Sequence, residues 1–106
     1  MSIKSEQYAQ AEFDQKYRAL KGTTQDRLEE IYYALCKEMT DLEKFMDLIH
    51  FGQDTYEYQH LINEKTIPNL QIHLFQLANE LNVNLDDAIR KRRKSIEASI
   101  RSNPEP

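Results

Sequence analysis

The stretch Leu28-Glu29-Glu30-Ile31-Tyr32-Tyr33-Ala34-Leu35-Cys36-Lys37-Glu38-Met39-Thr40-Asp41-Leu42-Glu43-Lys44-Phe45-Met46-Asp47-Leu48-Ile49 decides the fold. Its apolar residues Leu28, Ile31, Tyr32, Leu35, Met39, Leu42, Phe45, Met46 and Ile49 recur at intervals of three and four. That spacing predicts one stripe on a long helix. Glu38 follows Leu35 by three residues and precedes Leu42 by four, so it lies on the stripe itself. Asp41 sits one turn on, at the edge of the stripe beside Phe45. A carboxylate turned towards a core costs several kcal/mol unless it is paired, protonated or bound to a cation. Carboxylates at i and i+3 share a helix face and can share one metal ion. The plainer reading has Glu38 flanking a narrow core, reaching solvent or a lysine.

The whole chain sets outer bounds. At 106 residues it is one domain or one subunit of a small assembly, with residues 1–4 and 103–106 expected as frayed tails. It has only two glycines and three prolines, which suits a helical protein poor in turns. A helical chain this short often completes its core by association, so a homodimer or higher even-numbered oligomer is expected. The net charge is −4, yet the run Arg90-Lys91-Arg92-Arg93-Lys94 carries +5, leaving −9 on the remainder. That balance disfavours general nucleic-acid binding. The single cysteine, Cys36, excludes an intramolecular disulfide and fits a reducing, cytoplasmic setting. No apolar run approaches the ~20 residues of a membrane span, and Met1-Ser2-Ile3-Lys4 opens no signal peptide.

Along the chain, a first helix is expected from about Ser5 to Lys21, with Tyr8, Ala11, Phe13, Tyr17 and Leu20 as its stripe and Gly22 as a left-handed close. Thr23 or Thr24 caps the second helix, which has Asp26 in its first turn and stops near Phe51-Gly52. Residues 53–65 are ambiguous. Asp54 or Thr55 can cap a short helix there. Thr66-Ile67-Pro68-Asn69 then reads as a fresh start, with Thr66 as cap and Pro68 in the first turn. The third main helix spans about Ile67 to Leu81 on Leu70, Leu74, Leu77, Ala78 and Leu81, and Asn82 closes it. Asn84 caps a basic last helix with Asp86 and Asp87 in its first turn. The expected class is all-α.

Leu77-Ala78-Asn79-Glu80-Leu81-Asn82-Val83-Asn84-Leu85-Asp86-Asp87-Ala88, followed by a basic helix, resembles the end of the MazG-like all-α nucleoside triphosphate pyrophosphohydrolases. Ala34-Leu35-Cys36-Lys37-Glu38-Met39-Thr40-Asp41-Leu42 is similar to that family's metal-binding helix, with Glu38 and Asp41 on its two acidic E-x-x-E positions. Asp47 to Gln53 resembles the segment that follows. The resemblance spans about residues 28 to 102. It implies a four- to five-helix oligomeric bundle, hydrolysis of a nucleotide to monophosphate and pyrophosphate, and Mg²⁺ held between E-x-x-E on one helix and E-x-x-D on the next. Such chemistry takes hard oxygen donors, because the ion bridges phosphates and helps generate the attacking hydroxide.

The sequence departs from the pattern at the second half-site. Its two acidic positions fall on Thr66 and Asn69, and Lys37 takes the place of the first residue of the double-glutamate element. Glu38, Asp41 and Asn69 are therefore the candidate metal ligands, for a weak Mg²⁺ site. Lys37, Arg92, Arg93 and His73 are the candidates for holding phosphate. His73 shares a face with Asn69, although a histidine flanking a core more often bonds a neighbour. Tyr32-Tyr33 and Tyr56/Tyr58 can stack a base but at helical spacing are more often core or interface. Cys36 has no nearby histidine and is not a nucleophile candidate. No glycine-rich phosphate loop, Ser-His-Asp set or zinc spacing is present. The expected function is binding of a nucleotide or nucleotide-derived phosphate ligand, with pyrophosphohydrolase activity weak or lost. The rivals are a non-enzymatic oligomeric adaptor, inhibitor or regulator, and an active Mg²⁺-dependent pyrophosphohydrolase.

Overall fold

The computed structural model describes residues 2–17 and 21–102. They form α1 (Ile3–Tyr17), α2 (Thr24–His50), α3 (Tyr56–Leu61), a π-turn (Ile62–Thr66), α4 (Ile67–Glu80) and α5 (Leu85–Ser102), with no strand among them. The chain is all-α. The Ser2 hydroxyl accepts from the Ser5 N–H at 3.1 Å, and α1 starts at Ile3, earlier than the expected Ser5. Leu20 and residues 103–106 lie outside the described residues.

Helix ends follow local chemistry. Thr23 caps α2 in a reciprocal box: its hydroxyl accepts from Asp26 N at 3.1 Å, and the Asp26 carboxylate accepts from Thr23 N at 3.0 Å. Gly22, Gly52 and Asn82 take positive φ (94°, 66° and 56°) where the chain leaves a helix or turns into the next. The Asn84 side chain accepts from Asp87 N at 3.2 Å and opens α5.

The expected fresh start at Thr66 is not there. Thr66 has helical angles (φ −63°, ψ −51°) and makes no capping bond, and α3 runs through the π-turn directly into α4. The physical reason is Pro68. In a plain α-helix its ring would meet the carbonyl four residues back, and its missing N–H would break the ladder. The π-turn widens the backbone just upstream, with the Ile67 N–H bonding back five residues to Ile62 O. The helix thus absorbs the proline instead of restarting at it.

The core is small. Among the described residues, the buried apolar side chains are Ile31, Ile62, Phe75 and Ala78. They come from α2, the π-turn and α4, and Phe45 of α2 stacks on Tyr58 of α3 with ring centres 6.4 Å apart. The expected single stripe on α2 is split. Ile31 is buried, Leu28, Leu35, Leu42 and Phe45 are half-buried, and Tyr32, Met39, Met46 and Ile49 remain exposed.

The stripe expected on α1 is also corrected. Tyr8 and Tyr17 are exposed, and the helix instead leans on Ile3, Glu6, Gln7, Gln10, Ala11 and Asp14. It is held to α4 by side-chain amides. The Asp14 carboxylate accepts from Gln10 Nε2 at 2.9 Å and from buried Gln76 Nε2 at 3.0 Å. Gln7 Nε2 donates to Asn79 Oδ1 at 3.0 Å and to Val83 O at 2.7 Å, while Gln7 Oε1 accepts from Leu85 N at 3.0 Å. Gln7 therefore caps α5 from another helix. Arg27 Nε meets Glu80 Oε1 at 2.7 Å, tying the start of α2 to the end of α4.

The molecule is open for its size. Its radius of gyration is 17.2 Å, against about 13 Å for a compact domain of this length. It exposes 8486 Å², about 2,300 Å² more than the surface of a compact monomer of its mass. Every residue of α5 from Arg90 to Ser102 is exposed. A groove along α4 and the start of α5 is lined by Leu74, Leu77, Leu81, Val83, Leu85 and Ile89.

Candidate functional site

Glu38 and Asn69 meet. Glu38 is on the inward face of α2 with 6% of its surface exposed, and Asn69 is half-buried in the first turn of α4. Asn69 Nδ2 donates to Glu38 Oε1 at 3.1 Å. A hydrogen bond to a charged acceptor contributes more than a neutral one, about 1.5–3 kcal/mol. Among the described residues, Glu38 makes no ion pair. The periodicity that placed Glu38 against the core is realised, and Asn69 is the side chain that meets it there.

Thr66 lies one turn before Asn69, at the end of the π-turn. It is fully buried, and its Oγ1 has no hydrogen-bond partner among the described residues. A buried hydroxyl without a partner costs roughly 1–3 kcal/mol. π-turns inside helices occur frequently at functional sites. Asp41 is half-buried one turn beyond Glu38.

The remaining candidates are elsewhere. His73 Nδ1 lies 3.1 Å from Gln76 Oε1, which can only accept, so the bond requires the proton on Nδ1. His73 thereby joins the Asp14–Gln76 chain that docks α1. Lys37 is exposed on α2, and Arg92 and Arg93 are exposed on α5. Cys36 is exposed, and its thiol, hydrogen-bonded to Tyr32, holds the Tyr32 phenol above its ordinary value.

A hard dication draws its affinity from anionic oxygen donors. Here Glu38 offers one oxygen to an amide N–H, Asp41 stands beside it on the same helix, and the facing side chains are a neutral amide and a hydroxyl. Among the described residues there is no group of three or more His, Cys, Asp or Glu placed to hold a metal ion.

No protein-family model, curated protein or solved structure matches the chain. No helix among the described residues is long and apolar enough to cross a membrane.

Two sets of inter-helix ties escaped the sequence reading. Gln7 and Gln76 join helices through their amides, yet glutamine carries no periodic apolar signal. Arg27 and Glu80 are 53 residues apart, and nothing local in the chain links them.

Proposed function

We propose that this chain is a non-catalytic interaction subunit on a MazG-like scaffold, acting as a homo-oligomer in the manner of an adaptor, inhibitor or regulator. One observation carries the reading: the 8486 Å² of accessible surface. A stable interface takes about 800 Å² from each partner, so the excess over a compact monomer is ample for one. The exposed residues include Tyr32, Met39, Met46, Leu74 and Leu81, which a soluble monomer seldom presents together. The loss of catalysis is supported by Glu38, whose carboxylate is engaged by the amide of Asn69 on a buried face. The test pairs mass in solution with pyrophosphate release. An even-numbered oligomer that releases no pyrophosphate from the common nucleoside triphosphates at millimolar Mg²⁺ fits the reading. Turnover of ~1 s⁻¹ or more overturns it in favour of an active pyrophosphohydrolase.

A second reading, that the subunit binds a nucleotide or nucleotide-derived phosphate ligand, is favoured by Thr66. Its buried hydroxyl has no partner, one turn from the Glu38–Asn69 pair. Any Mg²⁺ would then arrive with the ligand's phosphates, which commonly complete its shell alongside one or two carboxylates. Thermal-shift measurement with nucleotides, with and without Mg²⁺, tests this, because a ligand that binds only the native state raises stability by mass action.

A further inference from the structure

One flank of α2, beside its inward row, has a regular pattern. Tyr32, Leu35, Met39, Leu42, Met46 and Ile49 follow one another at intervals of three, four, three, four and three. That is the alternation of a and d positions in a coiled-coil heptad. The inward residues Ile31, Glu38 and Phe45 form a different row, each one position earlier. Tyr32, Met39 and Met46 are 60%, 53% and 55% exposed, and all three line one shallow groove with Leu35 and Leu42. The seam is about 26 Å long at 1.5 Å per residue.

We infer that this seam is covered by the same seam of a second copy of the chain, lying antiparallel across a two-fold axis. The inference rests on the self-association proposed above and names its surface. Three observations select a second copy as the occupant. The chain exposes about 2,300 Å² more than a compact monomer of its mass, which exceeds one partner's share of a standard interface. The seam is also self-complementary: set antiparallel with a facing d, Tyr32 meets Ile49 of the second copy, Leu35 meets Met46 and Met39 meets Leu42. No apolar position is left facing a polar one, as an isologous two-fold contact requires. The antiparallel orientation also sets the two helix dipoles favourably against each other.

The experiment uses the full chain with Cys36→Ser as background. Met39→Glu places a carboxylate in the middle of the apolar seam, and self-association is expected to weaken by roughly a hundredfold or more. Because a dissociated subunit can also unfold, cross-linking provides an independent readout. A mixture of Tyr32→Cys and Ile49→Cys chains is expected to form the mixed disulfide on mild oxidation, while neither variant alone links to itself. Self-linking of either variant alone overturns the antiparallel arrangement. Wild-type association with an unchanged dissociation constant in Met39→Glu, and no mixed disulfide, overturns the seam while leaving self-association standing. A monomeric wild type removes both.

Discussion

Asn69 Nδ2 donates to Glu38 Oε1 across 3.1 Å and joins α4 to α2 through a buried carboxylate. These are two of the positions at which the resemblance expects acidic metal ligands, and here one neutral amide answers one carboxylate. Asn69→Asp replaces that donor with a second carboxylate at the same distance. The variant should lose about 2–4 kcal/mol at neutral pH, from the lost bond and the like-charge contact. Stability should rise with millimolar Mn²⁺ or Mg²⁺ more in the variant than in the wild type. Denaturation midpoints at several metal concentrations check this. A variant as stable as wild type and indifferent to metal would show that the pair is not a substitute for an ion.

Thr66 has a fully buried hydroxyl without a partner among the described residues. Thr66→Val removes the hydroxyl at nearly constant shape. The fold should gain roughly 1–3 kcal/mol, since an unsatisfied polar group is deleted. If the second functional reading holds, the same variant should also lose any nucleotide-induced thermal shift. Chemical denaturation with and without nucleotide separates the two effects.

Gln7 bonds Asn79 Oδ1, Val83 O and Leu85 N at once. Gln7→Ala should cost about 1–3 kcal/mol, because it strips the first turn of α5 of a side-chain cap and leaves Asn79 short of a donor. Hydrogen exchange should show the loss concentrated at the start of α5. Uniform loosening of the whole chain would argue against the latch.

Gly22 and Gly52 both have positive φ, but only Gly22 is crowded. A Cβ there would lie 2.6 Å from an Asp26 carboxylate oxygen, and at Gly52 it would meet nothing within 4 Å. Gly22→Ala should therefore cost more than Gly52→Ala, which bears only the backbone strain of about 1 kcal/mol. The same carboxylate sets a pH dependence. Hydrogen bonds from Thr23, backbone first and then hydroxyl, hold the Asp26 carboxyl below its ordinary value of 3.8. Its contribution is present above that value and is lost as pH falls through the lowered folded value. Asp26→Asn should flatten the acid limb of the stability profile, which acid titration of the denaturation midpoint reads directly.

The helix α2 and its cap were legible because they are local: the apolar residues repeat at helical intervals, and Thr23 and Asp26 are three apart. Glu38 was legible for the same reason, as a charge out of place in that pattern. The facing of Glu38 and Asn69 was suggested only by the resemblance, which places both at metal-binding positions. What escaped was non-local or carried by polar letters. Pro68 marked a helix start by its usual preference, and the π-turn that accommodates it leaves no sequence signal. The docking face of α1 has clean helical periodicity, but Gln7, Gln10 and Asp14 hide it from any search for apolar stripes. Two adjacent apolar rows on α2 read as one broad stripe, because a pattern gives width and not the direction of a partner.

The central claim is that this chain completes itself by self-association, and its mass in solution tests that most directly. Light scattering of the full chain at micromolar concentration should give about 25 kDa or a higher even multiple of the 12.6 kDa subunit. A stable, folded species of 12.6 kDa would contradict it.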